Sequence, residues 1–301
     1  MTLAATPIRW PLDAICQAVS LHLPGFTFEV LPEIDSTNTE LLRRFKSGRP
    51  EPTLLVAEQQ TAGRGRLGRQ WHSQRGESLT FSLGLALQPV DWSGLSLAVG
   101  ISLADSLDPA LAADRHIGLK WPNDLWLCSP EGERKLAGIL VETASWEGQR
   151  YVVIGVGINI SAAALTAVID ASAPPAAKPV DNPASPIVSP MPPAALQELV
   201  TGIDAPAALL RVVAPLVQTV QAFAQFGFAP FQARFARRDV LAGRSVSVFD
   251  GKNTLEGSAF GVGDHGALLV HTADGMKEIT SSEVSVRPAV MQRPMKHEPP
   301  C

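Results

Sequence analysis

A chain of 301 residues, 46% hydrophobic and 18% charged, is long enough for one large core and a small second domain. Its formal net charge of -4 gives no general attraction to nucleic acid, so any such contact would need a local basic patch. Cys16, Cys128 and Cys301 suit neither a disulfide framework nor a zinc site, and the stretch around Arg9, Trp10 and Pro11 lacks an apolar signal core, so the protein is expected to be soluble and cytoplasmic.

In chain order, the first element expected is a helix over 37–45, capped by Ser36 or Thr37 with Glu40 close behind. Apolar runs predict strands at 53–57 and 79–87, and Leu95, Ala98, Val99, Ser102, Leu103 and Leu107 mark one stripe of a second helix. Further strands are expected at 117–120, 125–128, 136–142 and 151–160. Between Pro174 and Pro193 eight of twenty residues are proline, which predicts a mobile surface loop over about 171–195. Residues 207–226 read as a helix that Pro215 should kink. After Arg238 only short strands are expected, at 245–250, 254–262, 267–272, 277–280 and 284–287, separated by turns at Asp250-Gly251, Gly263, Gly266 and Asp274-Gly275. The fold class is therefore α+β. A catalytic domain over 1–238 holds a mixed sheet flanked by helices, followed by a small β-barrel domain over 239–290 and a tail over 291–301.

The segment Gly63-Arg64-Gly65-Arg66-Leu67-Gly68-Arg69-Gln70-Trp71 interleaves glycines and arginines directly after an apolar strand. Glycine lets backbone approach an anion closely, and arginine offers paired donors to carboxylate or phosphate. As a bare charge run it also reads as a solvated basic turn. It formally matches the G-x-G-x-x-G fingerprint, but no amphipathic helix follows Gly68, which argues against a dinucleotide site. No G-x-x-x-x-G-K-[ST] phosphate loop occurs.

Three further segments join it: Lys120-Trp121-Pro122-Asn123-Asp124, Arg134-Lys135-Leu136-Ala137-Gly138-Ile139-Leu140-Val141-Glu142, and Gly155-Val156-Gly157-Ile158-Asn159-Ile160. With Ser36-Thr37-Asn38 after Glu33-Ile34-Asp35, and Val56-Ala57-Glu58-Gln59-Gln60-Thr61-Ala62 before the glycine-arginine loop, the chain resembles the biotin–protein ligase family. The likeness is strong over about 31–160 and weak in the β tail. It implies a class II synthetase-like catalytic domain with an SH3-like C-terminal domain. The implied activity is ATP-dependent formation of biotinyl-5'-AMP and transfer of biotin to a lysine of the biotin carboxyl carrier protein of acetyl-CoA carboxylase.

The same resemblance implies that Ser36, Thr37, Asn38, Gln60, Gly63, Arg64, Gly65, Arg66, Lys135 and Gly138 bind biotin. Arg66, Arg69, Trp71, Lys120, Asn123, Asp124, Lys135 and Asn159 would meet ATP, with Asp124 and Asn159 holding either Mg2+ or the nucleotide, and no metal ligands are assigned. Lys135, Arg66 and Arg64 would carry the chemistry, because two anions must be brought into reacting contact and only fixed cations cancel their repulsion.

Plainer readings stand beside these. Lys120 can be a strand-end cation packed on the neighbouring Trp121 indole, Asp124 a turn residue, and Gly155 and Gly157 mere strand packing. His72, His116, His265 and His271 sit in no metal spacing. The rival enzyme is a lipoate–protein ligase, disfavoured by the glycine-arginine loop together with Lys-Trp-Pro-Asn-Asp. The rival of another class is a nucleic-acid binder using Arg64, Arg66 and Arg69, disfavoured by the acidic balance. Only 35 residues precede Ser36, and 2–21 shows no basic recognition helix, so a monofunctional ligase without an N-terminal DNA-binding domain or repressor activity is expected. A monomer or weak homodimer is expected.

Overall fold

The computed structural model describes residues 7–161, 193–250, 252–280 and 285–288. The proline-rich loop up to residue 192 and the tail over 291–301 lie outside them. In chain order the main elements are α1 (Leu12–Ser20), β1 (Thr27–Leu31), α2 (Thr37–Lys46), β2 (Thr53–Ala57), β3 (Ser78–Ala86), α3 (Leu95–Leu107), β4 (His116–Lys120), β5 (Asp124–Ser129), β6 (Gly132–Trp146), β7 (Gln149–Asn159), α4 (Ala205–Phe226), α5 (Gln232–Ala236), β8 (Ser245–Phe249), β9 (Thr254–Val262), β10 (Leu268–Thr272), β11 (Gly275–Ile279) and β12 (Ser285–Pro288).

The first seven strands form one sheet in the order β1-β2-β3-β7-β6-β5-β4. Only β1 and β2 are parallel, and the rest run antiparallel. Because side chains alternate across a strand, the sheet presents two different faces. Leu79, Phe81 and Leu83 of β3 and Val152, Ile154 and Val156 of β7 join the large core beneath α1, α3 and α4. On the opposite face α2 sets Leu41 and Phe45 against Leu55, Tyr151 and Val153, with the Phe45 and Tyr151 rings stacked at 4.2 Å. Beyond Val153 that face of β7 continues as Gly155 and Gly157, so the sheet is left bare where α2 begins.

The C-terminal strands form a second, five-stranded antiparallel sheet, β11-β10-β9-β8-β12. It docks on the edge of the first. The buried Trp121 indole donates to the Gly266 carbonyl at 3.0 Å, and Lys120 Nζ donates to the Val286 carbonyl at 2.8 Å. The hinge is held by Arg238, 4% exposed in its side chain, whose guanidinium binds Asp105 Oδ1 at 2.8 Å, Asp108 Oδ2 at 3.0 Å and the carbonyls of Ile117 and Asp108.

The structure differs from these expectations in places. The element α1, with Ile15 and Val19 buried, and the half-buried edge strand β1 had no counterpart in the sequence reading. Helix α4 continues on both sides of Pro215, with Leu209, Val212, Val213, Leu216 and Val220 in the core. That burial accounts for a 22-residue helix long and apolar enough to cross a membrane. Finally, Lys120 stacks on Trp126 at 5.3 Å rather than on Trp121, because adjacent residues leave a strand on opposite sides and Trp121 is spent on the domain contact.

Candidate active site

The bare patch of sheet floors a cavity of about 400 Å³. Its size is that of a small-molecule site. Four pieces of chain wall it: the start of α2, the glycine-arginine loop, the β4–β5 hairpin and Val286 from the C-terminal sheet. The floor exists because three side chains are missing. Gly138 and Gly157 face each other across β6 and β7, and Trp71 lies over them. A Cβ on Gly157 would come within 2.5 Å of Trp71 Cζ2, and one on Gly155 within 2.8 Å of Asn38 Cγ.

At one end a polar network fixes the start of α2. Ser36 caps the helix, accepting from the Thr39 N–H at 3.4 Å. Gln60 Oε1 accepts from the Thr37 N–H at 2.8 Å and from its hydroxyl at 3.1 Å. The buried Ser82 hydroxyl bridges Thr37 Oγ1 at 2.7 Å and Asn38 Oδ1 at 2.6 Å. Asn38 Nδ2 donates to Glu142 Oε2 at 2.9 Å and to the Leu140 carbonyl at 3.2 Å. Both N–H bonds of that amide are used within the protein, so Asn38 buttresses the wall.

The cations gather around the rest. The loop doubles back on itself through Trp71 N–H to Gly63 O at 2.9 Å and Gly65 N–H to Arg69 O at 2.7 Å, turning at Leu67 and Gly68 in left-handed backbone (φ 56 and 70). Such a conformation is unfavourable for leucine by roughly 1–2 kcal/mol. Arg64 Nη2 lies 3.2 Å from Glu142 Oε1, and Arg66 Nη1 donates to Asn123 Oδ1 at 3.3 Å. Asn123 is fixed in turn by donating to the Ile139 carbonyl at 2.8 Å. Lys135 Nζ pairs with Asp124 Oδ1 at 2.7 Å and sits 5.9 Å from the Trp71 ring centre. Burial holds the Arg66 guanidinium below its ordinary range, with Asp124 opposing and Arg69 adding to the effect. Partial burial strips this cation of some of its hydration.

Residues 30–159 match the biotin/lipoate A/B protein ligase family, and residues 242–287 match the biotin protein ligase C-terminal domain. The chain is 35% identical to the bifunctional ligase/repressor BirA of Escherichia coli over 89% of this chain and 76% of that protein. It is 30% identical to the biotin–[acetyl-CoA-carboxylase] ligase of Paracoccus denitrificans over 85% of this chain and 98% of that one. This chain belongs to the biotin protein ligase family. The solved biotin protein ligase of Aquifex aeolicus, in complex with biotin and ATP, has a TM-score of 0.65 and 29% identity, covering 87% of this chain and 99% of its own. Like these relatives, the chain is an enzyme of the ligase class.

Nearly all the residues that the family resemblance singled out line the one cavity: Ser36, Thr37, Asn38, Gln60, Arg64, Gly65, Arg66, Arg69, Trp71, Lys120, Asn123, Asp124, Lys135 and Gly138. Gly63 and Asn159 do not. Gly63 sits where the two arms of the loop touch, with the Trp71 carbonyl carbon 3.3 Å from where its Cβ would be. Asn159 lies past the end of the floor and donates to the Ala194 carbonyl at 3.1 Å, because the segment at Ala194 crosses the strand ends there by bonding to the Lys135 carbonyl at 2.8 Å. The sequence reading missed Trp126, Ile139, Leu140, Val286 and the flooring role of Gly155 and Gly157. Strand alternation carries a signal for the glycines, which share a face with Tyr151 and Val153.

Proposed function

We propose that this enzyme joins the carboxylate of biotin to the α-phosphate of ATP, releasing pyrophosphate, and then passes the biotinyl group to the ε-amine of a lysine on a biotin carboxyl carrier domain. The observation that carries the reading is the gathering of Arg64, Arg66 and Lys135 around one cavity whose other end is a fixed polar wall. A carboxylate and a phosphate repel each other, and preorganised cations in a partly dry site offset that repulsion as charge redistributes. Removing one such donor typically costs about 10²–10³ in rate.

Two buried indole N–H groups of cavity-lining residues, Trp71 Nε1 and Trp126 Nε1, have no hydrogen-bond partner among the described residues. Buried donors of this kind are normally satisfied, so a ligand that offers them acceptors, such as a ureido carbonyl oxygen or purine ring nitrogens, suits them. The hairpin loop lies over the floor and can keep water from the mixed anhydride once it forms. Among the described residues no cluster of three or more His, Cys, Asp or Glu forms a metal cage. We propose magnesium as the metal, which commonly takes one or two carboxylates plus substrate phosphates. Asp124 would hold it beside Asn123, and the ion would neutralise the departing pyrophosphate.

A ligase without operator binding is supported by α1, the one helix among described residues 7–35, which contains no lysine or arginine. We place the reaction in the cytoplasm. Biotin-dependent exchange of labelled pyrophosphate into ATP tests the reading. Exchange with biotin and none with lipoate is expected, and the reverse would assign the chain to lipoate.

A further inference from the structure

The glycine-arginine loop is tied to the sheet by an acidic side chain to which the proposed chemistry above gives no role. Glu142 projects from β6, opposite Val153. Its two carboxylate oxygens are divided: Oε2 accepts from Asn38 Nδ2 at 2.9 Å, and Oε1 lies 3.2 Å from Arg64 Nη2. The Asn38 end cannot move. Its amide is locked by Ser82 and the Leu140 carbonyl, and it lies close over Gly155, where a Cβ would come within 3.1 Å of Nδ2. Pinning one oxygen fixes the other. The partner differs, since the Arg64 side chain is 53% exposed against 21% for Glu142, so the arginine is the member free to leave.

We propose that Glu142 is a positioning residue that occupies Arg64 in the ligand-free enzyme, so that a bound carboxylate takes over the guanidinium by displacing it. The exchange is of one carboxylate for another and involves no covalent step. The fixed α2 wall and the loop are thereby joined through Gln60, Thr37, Ser82, Asn38 and Glu142, so the wall and the arginine released toward the ligand share one network. The inference rests on biotin being the carboxylate that enters this cavity.

The test compares biotin with its uncharged carboxamide, biotinamide, by titration calorimetry. In Glu142→Gln the amide oxygen can still accept from Asn38, while the NH2 group that replaces Oε1 no longer attracts Arg64. Biotin should bind roughly two- to fivefold tighter than to the parent enzyme, the scale of a half-exposed ion pair, with biotinamide unchanged. In an Arg64→Ala background the same substitution should change neither ligand. A parallel shift for both ligands would mean a structural effect. Tightening that persists without Arg64 would mean a diffuse field effect, and unchanged or weakened biotin binding in Glu142→Gln would mean no competition at all. Each of these results overturns the proposal. Parent enzyme that binds neither ligand would instead refute the biotin reading, and would do so before any variant is compared.

Discussion

Gly157→Ala probes the floor of the site most simply. The added Cβ would lie 2.5 Å from Trp71 Cζ2 and 2.7 Å from Nε1, against the roughly 3.5–4.0 Å of an ordinary carbon contact, so the indole must retreat by about 1 Å. In a closed core such overpacking costs about 1–3 kcal/mol of stability. Here the cavity of about 400 Å³ adjoins the ring, so the indole can give way into it, and the cost moves from folding to binding. If most of about 1–3 kcal/mol is transferred, affinity for the ligand that the ring borders, biotin or ATP, falls on the order of 5- to 150-fold, while the melting temperature drops by only a few degrees. Calorimetric titrations with biotin and with ATP beside a thermal melt separate the two. Unchanged affinity with a melting temperature lowered by ten degrees or more would refute the argument, because it would mean that Trp71 packs as core and does not border the ligand.

Lys135→Ala should cut biotin-dependent pyrophosphate exchange by about 10²–10³ and leave thermal stability nearly unchanged, since the lysine, near the start of β6, is 39% exposed. Normal exchange would remove Lys135 from the chemistry. Burial raises the Asp239 carboxyl to about 6 from 3.8, so its folded-state value lies above the unfolded one. The protonated form favours folding below about pH 4, and that contribution is lost as pH rises through 6, a difference of up to about 3 kcal/mol. Asp239→Asn should therefore be the more stable protein at pH 8 and should flatten the denaturation midpoint between pH 4 and 7. A midpoint profile identical to that of the parent would contradict the assignment. Arg238→Ala should destabilise by about 3–5 kcal/mol in chemical denaturation, because it leaves Asp108, 5% exposed, buried without its partner. A loss under 1 kcal/mol would show the hinge is not held there.

Local chemistry made much of this site legible in the sequence. The glycine-arginine loop, the Lys-Trp-Pro-Asn-Asp turn and the Lys135 strand each keep their character at short range, and all reach one cavity. The β tail was readable for the same reason, its turns being marked by glycine and aspartate, and all five of its strands formed. What escaped depends on register and on contacts between distant elements. Trp71 over Gly157 follows from how a loop folds back onto a strand more than eighty residues later. Lys120 was paired in sequence with Trp121, yet the pairing of β4 with β5 gives it Trp126, and the docked C-terminal sheet gives it the Val286 carbonyl. Asn159 shares a motif with Gly157 but lies one strand step too far, under the Ala194 segment. The edge strand β1 was missed because all its positions are at least partly exposed, which blurs the alternation that marks a half-buried strand.

When biotin and ATP bind, Arg64, Arg66 and Lys135 are expected to turn onto the two anions that react. A crystal structure of the enzyme with a non-hydrolysable biotinyl-adenylate measures this directly. Lys135 Nζ and both guanidinium groups should lie within hydrogen-bonding reach, about 3 Å, of the acyl-phosphate oxygens, with Arg64 parted from Glu142 and Lys135 from Asp124. Side chains that keep their present carboxylate partners, or that face bulk water while the ligand is bound, would contradict it.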